Sequence, residues 1–504
     1  MLNPLHVKTF YRTSYTLIRM RSSRVRLAIP FLSLPLNSLG TSYRTHLQTL
    51  LDIRSPSQFL SALLYTAKHL CEVVLVTAYS VLPSLPRRSD STHTPKVEAP
   101  TYLLVSHLTS PEQLKNSHDN YLQIIKDSLH RTGHSIVTVY FNHTDIPQHS
   151  LACTAQSSSC NSFIFKKKLG FVTELGITKI IVAELAALIR DIHQSNLPFS
   201  FLTLNIVIQL LGQQTRNILR ASVQLNILID QLKPHALITT YEGFGWERLF
   251  YNIAKETSNT TTCIGYSHAI LRVRDEPFFR ELGHASNPDV ILFSSSAAQT
   301  LFKSLSRKNQ IKTLQVGTSK AFDKALALNR NQDKNHVLFV PEGTFDISLA
   351  FLSLASATAR LLPQQRFKIR FHPLIRPSRV FTRLRENTPP NLELSKSSLA
   401  DDAITCQYVV YRSSSCAIEM TAYGALPVFF DYDGNIDVNS FGCSSYPLPD
   451  PPTISDSFEL ADIISHYPLS TYSRQALLEF SRSYFSTPSQ HISDFLSPNL
   501  GCHK

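Results

Sequence analysis

Three consecutive hydroxyls, Ser413-Ser414-Ser415, lie between a β-rich run, Tyr408 to Arg412, and a helical run closed by Gly424. A turn from strand end to helix start presents unpaired backbone N–H groups at the positive end of a helix dipole. The anion favoured there is most often a phosphate. Glu419 follows Ser415 by four residues, so it faces the same way one turn deeper. A hydroxyl-lined phosphate seat with a carboxylate one turn inside suits a nucleotide, the carboxylate taking ribose hydroxyls. A plainer role stands beside it, since serines at such a point also serve simply to cap a helix.

Polar groups recur at the ends of other apolar runs. Ala236 to Thr240 leads into Tyr241-Glu242-Gly243-Phe244-Gly245-Trp246, and Thr262 to Tyr266 into Ser267-His268. His336 to Val340 leads into Pro341-Glu342-Gly343, and Phe367 to Phe371 into His372-Pro373. In open α/β sheets ligands bind beyond the carboxyl ends of strands, where loops enter helices. Taken singly, a carboxylate near a helix start only stabilises its dipole and His-Pro is only a turn. Five such signals on one sheet edge, divided between two halves of the chain, point to a shared cleft.

The elements that must position these groups follow a β-α rhythm. Tyr102 to Ser106 reads as a strand, Pro111 to Arg131 as a helix and Ser135 to Tyr140 as a second strand, the alternation of a parallel sheet. Residues 142–165 read as a polar surface loop, and Leu175 to Leu232 as mainly helical until Lys233-Pro234. Trp246, Leu249, Phe250, Ile253 and Ala254 form a helical stripe, and strands follow at Val290 to Ser294 and Thr313 to Val316. A polar break at Asn329 to Asn335 separates a second set, with a helix at Asp346 to Leu362 and helices near Phe458 to Ser465 and Arg474 to Tyr484. The expected fold is α/β: two Rossmann-like lobes with a cleft between them, and an N-terminal extension that is hard to read. The expected divisions are 1–100 (basic tail, helical segment and linker), 101–328 (acceptor-side lobe) and 329–504 (nucleotide-binding lobe with terminal helices).

A chain of 504 residues has room for two or three cored domains, and its composition is that of a globular protein. The net charge of +12 is uneven. Before Phe59, eight Lys and Arg residues stand against Asp52 alone, which suits a transit-like leader, a membrane-surface contact or a solvated tail. Met20 offers a second start. With the excess gathered there, and no stripe of interleaved basic and aromatic residues, nucleic acid is not an expected partner. Eight scattered cysteines without CxxC imply neither a zinc site nor a disulfide framework, but small buried residues in a reducing compartment. Lys68 and Glu72 interrupt the apolar run from Phe59 to Leu82, so it reads as a buried or amphipathic helix, followed by a Pro/Ser/Thr-rich linker to Pro100. The expected location is the cytoplasm, with the inner membrane face as an alternative seat.

In order and rough spacing, Tyr241-Glu242-Gly243, His372-Pro373 and Ser413-Ser414-Ser415 resemble the acidic-Gly, His-Pro and Ser/Thr motifs of bacterial sialyltransferases and polysialyltransferases. The run Glu242 to Arg248 with Gly265-Tyr266-Ser267-His268 is similar to surface-carbohydrate biosynthesis proteins of the same two-lobed GT-B type. The likeness covers about residues 100 to 450, and departs where Tyr241 takes the place that many members give to a second acid. The resemblance implies a metal-independent glycosyltransferase without cofactor, using a CMP-activated acidic sugar as donor and a glycan or lipid-linked glycan as acceptor. It implies Glu242 as general base and His372 as stabiliser of the departing phosphate. Glu342, Gly343, Pro373, Ser413, Ser414, Ser415 and Glu419 would then line the donor, and Gly243, Trp246, His268 and Arg272 the acceptor or cleft. Arg274, Arg370 and Arg376 also flank these loops as candidate cations. Glu342 is the rival base, set second on motif order. Other donors (a UDP- or GDP-sugar, or CDP-glycerol) and a non-catalytic glycan-assembly role remain alternatives on this scaffold.

Overall fold

The computed structural model describes most of residues 101–489, together with 13–18, 20, 23–29, 32, 71, 492 and 496. Inside that span 117, 145, 148–149, 152–160, 195–200, 273–274, 281, 307–310, 320–334, 374, 385–387, 433–438, 442–449 and 467–472 are not described. The apolar run Phe59 to Leu82 (Cys71 apart), the linker to Pro100, Arg274 and all but Asn335 of the polar break therefore lie outside the described residues.

Thirteen described strands make two wholly parallel sheets. The first holds β1 (Thr101–Leu108), β2 (Ser135–Asn142), β3 (Ser162–Ile164), β4 (Ala236–Thr240), β5 (Thr262–Ser267), β6 (Val290–Phe293) and β7 (Lys312–Gln315) in the order β3-β2-β1-β4-β5-β6-β7. The second holds β8 (His336–Val340), β9 (Arg366–Ile369), β10 (Leu392–Leu394), β11 (Cys406–Tyr411), β12 (Leu426–Phe430) and β13 (Thr453–Ile454) in the order β10-β9-β8-β11-β12-β13. Central strands such as β4 and β8 are buried throughout, as near-continuous apolar runs should be when helices cover both faces. The two-lobed α/β architecture expected of a GT-B chain is the one present. Each sheet reverses its winding once, between β1 and β4 and between β8 and β11. Those reversals open the crevices in which such sheets hold ligands.

One face of the first sheet carries α1 (Arg24–Ala28), α3 (Phe171–Gln194), α4 (Phe201–Leu211), α5 (Gln213–Leu232), α6 (Gly245–Thr257) and α7 (Ser296–Leu305). The other is covered by α2 (Gln123–Arg131) and by Ile492 and Leu496 from the far end of the chain. In the second lobe α8 (Phe345–Leu361), α9 (Pro377–Leu384) and α12 (Ser457–His466) face α10 (Leu399–Thr405), α11 (Cys416–Ala422) and α13 (Arg474–Tyr484) across the sheet. Cys263 and Cys406 are buried free thiols, Cys416 is half-buried and Cys71 exposed.

Four expectations are corrected. The helix expected over Pro111 to Arg131 is a single turn at Glu112–Lys115 and then α2. Buried Asp119 interrupts it, accepting from the Ser106 hydroxyl (2.9 Å) and from the amides of Tyr121 (2.8 Å) and Leu122 (2.7 Å). The polar loop 142–165 ends in β3, whose Phe163 and Ile164 pair with β2. The strand expected to run to Phe371 stops at Ile369, while β10, β13 and α10 were not foreseen. The basic start is not uniformly solvated, since α1 is packed into the first lobe with Arg26 fully buried. Arg26 donates to Glu184 (2.6 Å) and to the Leu17 carbonyl (2.6 Å) and pairs with Asp191.

Candidate active site

Both crevices are lined by residues the sequence singled out. In the first lobe β4 ends at Thr240, and Tyr241, Glu242 and Gly243 turn the chain into α6. Gly243 has φ +83°, and a Cβ there would stand 2.4 Å from the Phe278 amide nitrogen, so only glycine fits. Glu247, one turn into α6, accepts from the amides of Glu242 (3.0 and 3.1 Å) and Phe244 (2.8 Å) and so fixes the loop from below. Its carboxyl is pushed well above the usual range by burial and by the Glu242 carboxylate, with the two amides and Arg248 acting against them.

The Glu242 carboxyl is a third exposed and lies 3.4 Å from His268 Nε2, at the end of β5. Burial first, and then the Asp275 carboxylate, push it up to about 7, with Arg272 pulling the other way. A carboxyl poised near neutrality beside a cleft has the basicity that proton abstraction at physiological pH requires. Arg272 is held by Asp275, which accepts from its amide at 2.8 Å and from Nε at 3.4 Å. Tyr241 is 1 % exposed and packs against Phe278, the rings tilted with centroids 4.8 Å apart. An acid at that position would point into the apolar core. The second carboxylate felt by Glu242 comes from Asp275 instead.

Imidazole and aromatic rings gather around this base. His107, next to last in β1, has Nδ1 2.8 Å from His143 Nε2 and meets Trp246 edge-on at 5.6 Å. Burial, together with the charges of His143 and His268, pushes His107 down to about 3, so the ring is neutral. Tyr121 stands edge-on to both His107 (5.4 Å) and His268 (5.0 Å). Sequence reading missed His107, His143, Tyr121, Glu247 and Asp275. Glu247, an acid in the first turn of a helix, and Asp275, three residues after Arg272, carried local signals. His107 and His143 reach the site through strand order, which no local pattern displays.

In the second lobe the structure brings together Glu342, Gly343, His372, Arg412 and Ser413, from the ends of β8, β9 and β11. Glu342 accepts from the buried Arg412 guanidinium and from the Ser413 hydroxyl. Its carboxylate is thereby engaged as an anchor between two loops, an arrangement that does not suit the rival base. Gly343 faces the His372 ring, and a Cβ there would meet Nδ1 at 2.9 Å. Ser415 starts α11 without a side-chain cap bond, so capping does not account for it. Glu419 is half-buried in the first turn of that seven-residue helix, and Pro373 is exposed. Of the flanking arginines, Arg370 is committed to buried Asp402 through Nε at 2.9 Å, and Arg376 is exposed. Among the described residues no three His, Cys, Asp or Glu side chains gather as metal ligands. A separate cavity of 720 Å³ lies along α8 and the ends of β12 and β13, lined by Asp346, Phe430, Tyr432 and Asp456, and shares none of these residues.

No family model matches the chain, and no curated protein matches it in sequence. Among solved structures it is similar in fold to the MurG of Acinetobacter baumannii, at 11 % identity and TM-score 0.41 over 80 % of this chain and 99 % of that one. It is likewise similar to the calicheamicin glycosyltransferase (10 %, TM-score 0.45, 77 % and 94 %). A third likeness is to the spinosyn rhamnosyltransferase SpnG complexed with thymidine diphosphate (15 %, TM-score 0.44, 78 % and 98 %).

Proposed function

We propose that this chain is an inverting GT-B glycosyltransferase of surface-polysaccharide assembly, taking an acidic sugar (a sialic-acid-like nonulosonate or Kdo) from a CMP donor. The observation that carries the reading is Glu242, a carboxyl held near neutral basicity at the winding reversal of the first lobe. An acceptor hydroxyl attacks the anomeric carbon from the face opposite CMP. As that C–O bond forms, the bond from carbon to phosphate oxygen breaks, Glu242 takes the hydroxyl proton, and CMP leaves with the bonding electrons. His372 and the serines Ser414 and Ser415 receive the charge growing on the single phosphate. Protein donors suffice for one phosphate, so the reading includes neither a divalent metal nor a cofactor. Trp246, His107 and His268 offer ring faces and hydrogen bonds to a glycan or lipid-linked glycan acceptor. The expected place of work is the cytoplasm, with the inner membrane face as an alternative seat.

Comparison of CMP, UMP, UDP and GDP by thermal shift tests the donor. CMP at a hundredfold its dissociation constant stabilises the fold by about 2.7 kcal/mol, and His372→Ala removes most of that shift while leaving the unliganded melting temperature in place. A shift with UDP or GDP and none with CMP makes the donor another nucleotide sugar on the same scaffold.

A further inference from the structure

The helix α3 is apolar on two sides. One side is core: Ile177, Ile181, Leu188 and Ile192 are buried in the first lobe. The other faces outward, with Phe171 55 %, Val172 81 %, Leu175 57 %, Val182 56 % and Ile189 51 % exposed. A helix apolar all round ordinarily lies in a protein interior or spans a bilayer. Here it does neither, since α3 is at the surface and no described helix is long and apolar enough to cross a membrane.

Its charges are sorted by sign. All three acids turn inward: Glu174 takes a bidentate pair from Arg220 (2.8 and 2.9 Å), and Glu184 and Asp191 are both engaged by buried Arg26. The charges left on the exposed side are Lys179 and Arg190, and exposed Lys167 and Lys168 lie just ahead of the helix. A stripe of Val172, Leu175, Lys179, Val182, Ala186 and Ile189 thus runs along most of the 24-residue helix, about 26 Å from end to end. It presents hydrocarbon and positive charge together and no negative charge of its own.

We infer that the outward face of α3 is a contact surface for an anionic lipid bilayer, on which the helix lies in the interface. Apolar side chains enter the acyl boundary while Lys179 and Arg190 reach back to anionic headgroups. Opposite charge decides for lipid over a second copy of this chain, because two copies would set like charges against each other along the stripe. Arg26 of the basic start takes no part in this contact, since it is turned into the core. Lys167 and Lys168 follow β3 at its carboxyl end, the sheet edge that also carries Glu242. A bilayer on α3 therefore lies beside the mouth of the cleft.

Co-sedimentation of the full chain with vesicles tests this. Vesicles of phosphatidylcholine and phosphatidylglycerol mixed two to one should carry the protein down, and vesicles of phosphatidylcholine alone should carry much less. Lys179→Glu with Arg190→Glu, and separately Val182→Ser with Ile189→Ser, should each weaken binding at least roughly tenfold. Circular dichroism and melting temperature should hold, because all four side chains are exposed. Wild-type protein that ignores anionic vesicles, or variants of native fold that bind them unchanged, would overturn the inference. So would a dimer in light scattering that the serine variant dissociates without change in vesicle binding.

Discussion

A base works only when ionised, so the role proposed for Glu242 fixes the sign of a pH dependence. With its carboxyl near 7, kcat/KM should be flat at pH 8 and fall about tenfold per unit below pH 7, as a single ionisation requires. Glu242→Gln cannot take the proton; turnover should drop ~10²–10⁴-fold and the acid limb vanish. Stability runs the other way. A carboxyl raised on folding contributes stability that is fully present below the ordinary carboxylate range and is lost as pH rises through about 7. The Gln variant should therefore melt above wild type at pH 8 and lose that advantage near pH 4, which calorimetry at the two values reads directly. Glu342→Gln should show the reverse pattern: turnover largely kept, but a clear fall in melting temperature, because it leaves the buried Arg412 guanidinium without its anion. Loss of turnover in Glu342→Gln with turnover kept in Glu242→Gln would mean that the lobes exchange roles. At this scale the sequence displayed the residues that end strands, Glu242, His268, Glu342, His372 and Ser413 among them. It hid those whose place depends on which strands are neighbours. His107 belongs to the site only because β1 lies against β4, more than a hundred residues on.

Among the elements, legibility followed length and regularity. Long strands and helices with a steady apolar period, such as β4, β8, α6 and α13, stand within a residue or so of where their patterns place them. Short elements were lost: β10 and β13 have three and two residues and derive their existence from a neighbouring strand. The helix α1 was lost for another reason. Its Arg24-Val25-Arg26 looks like solvated charge, and only tertiary structure supplies the Glu184 and Asp191 that neutralise Arg26. Breaking such a buried pair from one side leaves uncompensated charge, at a cost of about 3–5 kcal/mol, whereas replacing all the partners by uncharged groups of similar shape leaves none. Arg26→Ala should accordingly lower the melting temperature by many degrees. Arg26→Met with Glu184→Gln and Asp191→Asn should recover much of the loss. An Arg26→Ala protein as stable as wild type would return this segment to the status of a loosely attached tail.

Across the whole molecule, the two sheets are joined by more than a cleft. After α13 the chain leaves the second lobe and returns to the first, where the Ser489 amide donates to the Val316 carbonyl (2.9 Å) and the Ser486 carbonyl accepts from Thr318 (3.0 Å). Gly317, at φ +82°, permits the approach, since a Cβ there would stand 2.3 Å from the Thr487 carbonyl oxygen. Farther on, Ile492 and Leu496 join α2 in the core on that face of the first sheet, and the Leu496 carbonyl accepts from the Tyr102 hydroxyl. The first lobe thus lacks part of its interior until Ile492 and Leu496 arrive, and the lobes should unfold together. Ending the chain after Phe485 spares α13 and the core of the second lobe but removes these contacts. Burying an aliphatic side chain is worth about 1.5–3 kcal/mol, so losing two should destabilise the first lobe selectively. Calorimetry of the truncated protein should show two transitions in place of one, the lower belonging to the first lobe, with CMP still raising the upper one. A single transition at the wild-type temperature would mean that the returning segment lies on the first lobe without contributing to it, and that other contacts, such as those of α7 with α13, hold the lobes together.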